Sequence, residues 1–444
     1  NEVLNKHYHG KIVVEGLKNV PPLLADELVK NLGVNGTVYE PVAGGTKYIR
    51  SAKTDTAPHL VNNYVWWSGM MWRIYAINPD GSMKIITDDN VSVVPFRAGG
   101  ANAYEGSQIK QWLETYFYPK LNNSKDTVLK QNNDFCMDSV ADADKDTTMR
   151  TTCTNKLSNL KVGLLTLDEY NIIKNGSYTN YLNNGAWYWL MTPYASNASR
   201  EWCASFNGDS NNYDVSSAFG ARLVTVFASA STISSGNGTL GIPYKITGDT
   251  ASAVSGTKLN SRHTGEFITY DNKLWRIMEV ENGLTKVIYD GATKLTADAA
   301  FGSNNLDWAT TKARLDGIGI STTKIAQNQT WQRGYFVHGN NILTTSLDAG
   351  NPVTSTFGLP KVGEMWASQN NNKTANYAKF TAQIYWLMTP YTSNASYEWC
   401  TWLNGDSGYC GVNSAFGVRL VFFFKSDVTI NSGDGTPDSP YTLQ

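Results

Sequence analysis

Leu190-Met191-Thr192-Pro193-Tyr194 is repeated as Leu387-Met388-Thr389-Pro390-Tyr391, 197 residues later. From there the two copies run in register without a gap, as far as Val224 in the first and Val421 in the second. A period of this size is far longer than a solenoid repeat. The stretch therefore predicts two copies of one domain in tandem.

The differences between the copies are clustered inside this constant frame, and they are the candidate ligand-binding positions. Tyr, Trp and Arg concentrate binding energy at interfaces, and Asn and Ser add adaptable hydrogen bonds. The candidates in the first copy are Arg200, Ser205, Phe206, Asn211, Asn212, Tyr213 and Asp214. Those in the second copy are Tyr397, Trp402, Leu403, Tyr409 and Cys410. A changeable face on a constant frame indicates recognition rather than catalysis, although drift of an exposed loop would leave the same pattern.

The constant positions predict a core and an ion pair. Trp189, Trp202 and Phe219, with their partners in the second copy, are expected to be buried. Arg222 and Arg419 lie in apolar strands, where an isolated charge is costly, so each is expected to have a carboxylate partner. The acidic residues common to both copies make Glu201 and Glu398 the natural candidates, in a structural role.

Five cysteines give one disulfide prediction and one open question. Cys136 and Cys153 are close in a polar stretch, which favours a local disulfide. Cys203 and Cys400 each follow a Trp and are expected to be buried thiols. Cys410 has no counterpart in the first copy, so it either pairs with Cys400 or occupies a changeable position by chance.

The composition limits the classes of function. The 444 residues are enough for two or three domains. Only 17% of the residues are charged and 12% are aromatic, which is typical of extracellular β-rich proteins and contact surfaces. The net charge of -1, without a long Lys/Arg run, argues against nucleic-acid binding. No apolar stretch reaches the length of a membrane span, and the chain opens like a mature or trimmed product.

Local signals place several elements before the repeat. The sequence predicts a helix over 21–33, with Leu24, Leu28 and Leu32 as its apolar stripe. Apolar runs on both sides of Asn78-Pro79-Asp80-Gly81 predict a β-hairpin. A helix capped by Ser107 and a second helix opened by the capping box Thr166-Leu167-Asp168-Glu169 follow.

The second half echoes this order in weaker form. Leu274-Trp275-Arg276-Ile277 echoes Met71-Trp72-Arg73-Ile74, and Lys361-Val362-Gly363 echoes Lys161-Val162-Gly163. Both halves close alike, over 236–244 and 433–441. The expected domains are an N-terminal region, 1–60, and two repeated domains, 61–248 and 249–444.

The ordered landmarks resemble a family of surface proteins from Gram-positive gut bacteria, many of them adhesin-like or pilin-like. The landmarks here are Trp72-Arg73-Ile74, Lys161-Val162-Gly163-Leu164-Leu165-Thr166, Tyr188-Trp189-Leu190-Met191-Thr192-Pro193 and Gly220-Ala221-Arg222-Leu223. The closing module also resembles the C-type-lectin-like domains of variable proteins diversified by retroelements. Most of the paired differences are products that altered Asn codons can give, and Ser205 against Trp402 is the exception. The resemblance implies an α+β fold of two tandem C-type-lectin-like domains with twisted antiparallel sheets.

Signals for metal binding and catalysis are weak. Asp142-Ala143-Asp144-Lys145-Asp146 could hold calcium, but it lacks the glycine and distal glutamate of an EF-hand. Asn-Gly-Asp-Ser occurs in both copies and favours a turn. No Ser/His/Asp or Cys/His arrangement recurs, and paired acids for glycoside hydrolysis stay open because sequence does not give distances. The lone Cys203 and Cys400 give only a weak link to the formylglycine-generating enzymes of this fold.

We therefore expect a non-enzymatic protein, extracellular or on a cell surface, that binds a host or bacterial surface protein or glycan. No cofactor is expected, apart from the weak calcium signal. The alternative is a subunit of an extracellular filament that assembles with other copies of the chain. Val3-Leu4 and the strand-like Lys11-Ile12-Val13-Val14 would suit pairing with a neighbouring sheet edge.

Overall fold

The computed structural model describes residues 21–51, 61–97, 99–121, 124–176, 180–248, 255–334, 350–362, 364, 383–402 and 407–444. Leu403 and the two segments of the filament hypothesis, 3–4 and 11–14, lie outside these residues. The described chain is mixed α+β, mostly strands with few helices, which confirms the expected α+β class. Its α-helices are α1 Leu24–Lys30, α2 Gln108–Trp112, α3 Lys125–Val128, α4 Leu167–Lys174 and α5 Trp308–Asp316. None of its helices has the length and apolar character needed to span a membrane.

The strands of the first half form an eight-stranded sheet, a five-stranded sheet and one separate pair. They are β1 Gly36–Tyr39, β2 Lys47–Ser51, β3 Tyr64–Trp67, β4 Met70–Ile77, β5 Met83–Thr87, β6 Ser92–Pro95, β7 Asn133–Cys136, β8 Lys156–Leu160, β9 Tyr188–Pro193, β10 Arg200–Ala204, β11 Ser210–Asp214, β12 Ala218–Ala221, β13 Val224–Phe227, β14 Ile233–Ser235 and β15 Tyr244–Ile246. The large sheet has the order β1-β2-β4-β3-β15-β14, with β5 pairing to β4 and β13. The five-stranded sheet has the order β11-β10-β9-β12-β6, and β7 pairs with β8.

The second half repeats this arrangement, with fewer strands among its described residues. They are β16 Phe267–Tyr270, β17 Lys273–Glu281, β18 Leu284–Tyr289, β19 Gln329–Gln332, β20 Pro352–Ser355, β21 Tyr385–Pro390, β22 Tyr397–Thr401, β23 Ser407–Gly411, β24 Gly417–Val418, β25 Val421–Phe424, β26 Ile430–Ser432 and β27 Thr442–Leu443. The sheets are β16-β17-β18-β25, β23-β22-β21-β24, β19-β20 and β26-β27. The sheets are not wholly antiparallel as expected, because β12 pairs in parallel with β9, β24 with β21, and β15 with β3.

One expected equivalence between the halves is wrong. Gly163 bridges to Val224, and Gly358 bridges to Val421, the repeat partner of Val224. The counterpart of Lys161-Val162-Gly163 is therefore the segment ending at Gly358, not Lys361-Val362-Gly363. The similar sequence Lys361-Val362-Gly363 lies a few residues further along the chain. There Lys361 is the counterpart of Thr166, because the Lys361 N–H donates to Glu364 and the Thr166 N–H donates to Glu169.

This corrected alignment shows an equivalent Lys–Glu ion pair in both halves. Lys84 on β5 pairs with Glu169 at 2.6 Å, and Lys286 on β18 pairs with Glu364. Lys84 lies opposite Val226, and Lys286 lies opposite Phe423, which are again repeat partners. The pairs link the large sheets to the segments that precede the repeated modules.

The predicted local elements before the repeat are present. The hairpin of β4 and β5 surrounds the Pro-Asp-Gly turn, and Ser107 caps α2 by accepting from the Lys110 N–H. Thr166 and Glu169 form the reciprocal capping box of α4. Helix α1 is shorter than 21–33, but Leu24 and Leu28 are fully buried, as the stripe predicts.

The described part of the expected N-terminal region joins the first half. Strands β1 and β2 extend the eight-stranded sheet, and α1 packs into the same core. A second core fills the other half, around Trp275 and Phe422. The expected boundaries at residues 60 and 248 stay predictions.

Candidate functional site

The candidate faces lie on two hairpins of identical register. In the first copy β10 pairs with β11 so that Cys203 lies opposite Asn211. In the second copy β22 pairs with β23 so that Cys400 lies opposite Gly408. Both hairpins are held against a central strand, β9 or β21, whose side chains are almost entirely buried. The frame is therefore the same, and only the side chains on it differ.

The first face is a cluster of four aromatic rings at the surface, Trp187, Phe206, Tyr213 and Phe219. Trp187 stacks on Phe219 at 5.3 Å between ring centroids, and Tyr213 stands edge-on to both rings at 5.0 and 5.1 Å. Phe206 lies 6.1 Å from Trp187. Phe206 is 58% exposed and Tyr213 is 37% exposed. Such a group of exposed rings offers a large apolar contact area that is already ordered.

Two members of this cluster were not expected at the surface. Phe219 was expected in the core, but it is only partly buried, because one side of its ring lies under Trp187 and Tyr213. Trp187 was not among the candidates. Trp187 lies two residues before the buried Trp189, and this spacing alone would place both side chains on the same side of an extended segment, so it gives no sign that Trp187 lies at the surface.

The polar candidates of the first copy divide between the two sides of the hairpin. Arg200, Asn211 and Asp214 are exposed, but Ser205 and Asn212 are buried, which corrects their expected exposure. Successive residues of a strand point to opposite sides, so Asn212 points away from Tyr213. Its amide donates to Asp142 at 3.0 Å and accepts from Arg200 at 2.6 Å.

The second face is built mainly from tyrosines. Tyr409 stacks on Tyr391 at 4.8 Å, and Tyr397 stands edge-on to Tyr409 at 5.4 Å. Tyr409 and Trp402 are each 43% exposed, and Tyr397 is partly buried. Tyr391 belongs to the constant frame and was missed as part of this face.

The exposed aromatic residues of β11 and β23 lie on opposite sides of their hairpins. Tyr409 is the repeat partner of Asn212, which is buried, and Cys410 is the partner of Tyr213, which is exposed. Neighbouring strand residues point to opposite sides, so Tyr213 and Tyr409 point in opposite directions relative to the shared frame. The two copies thus present different surfaces, and not merely different residues on one surface.

Trp402 and Gly408 form a matched pair. A methyl group at Gly408 would lie 1.7 Å from the Trp402 indole nitrogen, so the ring lies across the glycine. In the first copy the same two places hold Ser205 and Asn211. In the second copy the large Trp402 is accommodated by the small Gly408, and in the first copy the small Ser205 occurs with the larger Asn211. The hairpin has the same register in both copies.

Cys410 is not part of an exposed face. It forms a disulfide with Cys400 across β22 and β23 and is 5% exposed, which corrects its place among the ligand-binding candidates and the expectation that Cys400 is a thiol. Cys203 is a buried thiol as expected, and burial raises its pKa well above the usual value. The predicted Cys136–Cys153 disulfide is confirmed.

The expected pairing of the frame arginines with Glu201 and Glu398 is wrong. Arg222 donates to three backbone carbonyls, those of Thr87, Asp88 and Leu182, at 3.0, 2.9 and 2.5 Å. Arg419 pairs instead with Asp290 at 2.8 Å. The two arginines contact the last residues of β5 and β18, since Arg222 donates to Thr87 and Arg419 donates to Tyr289. The glutamates lie elsewhere, on β10 and β22.

The two glutamates have different surroundings. Glu398 lies 3.5 Å from Arg333, and both side chains are buried. Glu201 is fully buried, and neither of its carboxylate oxygens has a hydrogen-bond partner among the described residues. Burial alone raises the pKa of Glu201 well above its usual value, which favours the neutral acid.

The acidic segment 142–146 is engaged by protein groups. Asp142 accepts from Tyr194 and Asn212, and Lys145 pairs with Asp146 at 2.9 Å. The first Asn-Gly-Asp-Ser segment is a turn, as expected, and part of the second lies outside the described residues. In the described ranges the one group with metal-ligand spacing is Cys136, Asp138 and Cys153, whose two sulfurs are already joined in a disulfide.

Comparison with known proteins gave no match to a protein family, to a curated protein or to a solved structure.

Proposed function

We propose that this chain is an exported binding protein whose two modules, each C-type-lectin-like, recognise a protein or glycan on a host or bacterial surface. The observation that carries the proposal is the aromatic cluster of Trp187, Phe206, Tyr213 and Phe219 at the surface, in which the exposed rings of Phe206 and Tyr213 belong to the β10–β11 hairpin. Exposed clusters of rings are where binding energy concentrates, and contiguous apolar patches on a surface mark interaction sites.

The two disulfides support export. Cys136–Cys153 and Cys400–Cys410 are typical of proteins that fold in oxidising compartments. Because the exposed rings of β11 and β23 lie on opposite sides of a shared frame, the two modules are expected to recognise different ligands or different epitopes of one partner.

The test compares binding of the labelled full chain with that of two double variants, Phe206→Ala/Tyr213→Ala and Trp402→Ala/Tyr409→Ala. The probes are a glycan array and fixed bacterial and epithelial cells. Each double variant is expected to lose about tenfold or more in affinity for its own ligand, since truncated aromatic anchors typically cost at least 2 kcal/mol. The melting temperature should change little because these side chains are exposed.

Tyr39→Ala is the matched control, because Tyr39 on β1 is as exposed as Tyr213, at 37%. This variant should bind like the parent chain. If the combined fourfold variant retains full binding, or if Tyr39→Ala loses as much, the aromatic faces are not the binding surface.

A further inference from the structure

A cavity of about 670 Å³ lies between the two halves of the chain and is lined by both closing segments, over 240–243 and 436–439. Its five aspartates are matched by five cations, which are Lys245, Arg276, Arg419, Arg73 and Arg222. The balanced charge of this lining does not indicate a ligand. The open edge of β1 is more specific, because its sequence indicates what pairs with it.

The eight-stranded sheet is covered at one end and open at the other. At the β14 end the chain runs alongside the sheet, since Leu23 bridges to Thr232 and the Ile233 N–H donates to Pro22. At the other end β1 pairs with β2 on one side, and none of the described strands lies on its other side. The outward N–H and C=O groups of such an edge strand are available to another strand.

Strand β1 lacks the usual protection of an exposed edge. Edge strands commonly carry charged residues or proline, which prevent pairing with another chain. Of the other edge strands, β6 ends at Pro95 and β11 ends at Asp214. In contrast, β1 has the sequence Gly36-Thr37-Val38-Tyr39, and the stretch 31–39 contains no charged residue. This edge is therefore suited to pairing.

Three exposed valines are spaced evenly about the middle of this edge. Val38 on the strand is 39% exposed, Val34 before it is 95% exposed, and Val42 after it is 53% exposed. Val34 and Val42 are equally far from Val38 along the chain. A second β1 that runs antiparallel, with the two copies of Val38 opposite each other, therefore brings Val34 of each copy to the end where Val42 of the other lies. Cross-strand pairs of β-branched residues stabilise a register, and a two-fold interface requires such self-complementarity.

The other residues are compatible with this register. Glu40 of each copy lies opposite Gly36 of the other, so the two carboxylates are at opposite ends of the paired strands. Pro41, which has no N–H, lies beyond the end of β1. The ring of Tyr39 lies 3.3 Å from the guanidinium carbon of Arg50 in its own chain and points to the opposite side from Val38. The contact between the valines therefore does not depend on Tyr39.

We propose that the β1 edge joins two copies of this chain in a two-fold dimer, in which the two β1 strands pair antiparallel about Val38 and the two eight-stranded sheets become continuous. A strand of four residues is a small contact beside the ~800 Å² per partner of a standard interface. We therefore expect a dissociation constant of about 10–100 µM. The dimer presents two copies of each aromatic face, and linked weak sites gain avidity. Dimer formation does not depend on what the aromatic faces bind, so each proposal can fail without the other.

The test is sedimentation equilibrium of the full chain at low salt, from about 1 to about 500 µM, over which the parent should pass from monomer to dimer. Val38→Lys places two like charges opposite each other at the two-fold axis and should weaken the dimer about tenfold or more. Val280→Lys is the matched control, because Val280 on β17 is a strand valine of similar exposure, at 41%. This control should dimerise like the parent chain.

A mixture of Val38→Lys with isotope-labelled Val38→Glu tests the register itself. Each variant repels its own copy, but a mixed pair places opposite charges across the axis and should regain the dimer, which native mass spectrometry detects by its half-labelled mass. The proposal is overturned by a parent chain that stays monomeric up to about 500 µM, by an equal loss in Val280→Lys, or by a mixture without the mixed dimer. Species larger than a dimer would also overturn it, since they indicate head-to-tail addition, as in the filament alternative.

Discussion

Glu201 and Glu398 are the same residue in the same frame, but they have different electrostatic surroundings. Glu398 lies beside Arg333, which also donates to the backbone oxygens of Met388 and Asn305. Among the described residues no cation lowers the pKa of Glu201, and burial alone raises it. A residue that is identical in the two copies therefore need not make the same interaction, because its partner, here Arg333, lies outside the repeated stretch.

Glu201→Gln should make the free energy of unfolding less dependent on pH. The folded pKa of Glu201 lies above its unfolded value, so the folded state binds more protons between these two values and stability falls as pH rises through that window. Glutamine carries no proton to lose, so the variant should be equally stable or more stable than the parent at about pH 8. Urea denaturation at about pH 5 and about pH 8 measures this.

Glu105→Gln is the control for the pH experiment, since Glu105 is an exposed glutamate. Its effect on unfolding should be small at both pH values. A pH slope of Glu201→Gln as steep as that of the parent chain would show that Glu201 is already ionised in the folded state.

At the scale of the elements, the two Lys–Glu ion pairs link equivalent strands to equivalent segments, but the pair in the second half is more deeply buried. Lys286 is 3% exposed, whereas Lys84 is 25% exposed. Charges on Lys286 and Lys361 hold the pKa of Glu364 at about 2, despite the opposing effect of burial. The second pair is therefore the one whose disruption leaves a buried, uncompensated charge.

Lys286→Met should lower the free energy of unfolding by about 3–5 kcal/mol, because Glu364 would remain buried without its main cation. Lys84→Met is the matched variant and should cost less, since water reaches Lys84. Because Glu364 has a lowered folded pKa, its contribution is present above about pH 4.5 and is lost as pH falls from there towards about 2. Equal losses in the two variants would mean that burial does not distinguish the pairs.

The elements also show which features could be predicted from sequence. Local signals were sufficient for the β4–β5 hairpin, the caps of α2 and α4 and the Cys136–Cys153 disulfide, because each depends on neighbours within a few residues or a short loop. The partner of Arg419, the buried side of Asn212 and the Cys400–Cys410 disulfide depend on how strands are aligned across the sheet. The spacing between segments differs in the two halves, so the similarity of Lys361-Val362-Gly363 to Lys161-Val162-Gly163 aligned the wrong segments with each other.

At the scale of the whole molecule, the two halves touch through the tight turn between β3 and β4. Ser68 and Gly69 both have positive φ, at 54° and 70°, as a two-residue hairpin turn requires. A methyl group at Gly69 would lie 2.1 Å from the Thr264 carbonyl oxygen of the second half. Trp66 and Phe267 pack nearby with ring centroids 6.3 Å apart.

Gly69→Ala should destabilise the chain and loosen the contact between its halves. The left-handed backbone costs alanine about 1–2 kcal/mol, and the clash with Thr264 adds about 1–3 kcal/mol. Gly185→Ala is the matched control, because Gly185 has φ of 72° and open space around it. Melting temperature and the radius of gyration from small-angle scattering measure the two effects, and an identical response of both variants would exclude a role for the contact with Thr264.

The cavity lined by both closing segments has a consequence for descent. A single ancestral domain could not have enclosed it, because each half supplies only part of the wall. A duplication that produced the two tandem halves would also have produced this space, and selection on its lining could begin only after such an event. The two closing segments differ at Leu240 against Pro437 and at Gly241 against Asp438, so selection of this kind would be visible at these lining positions.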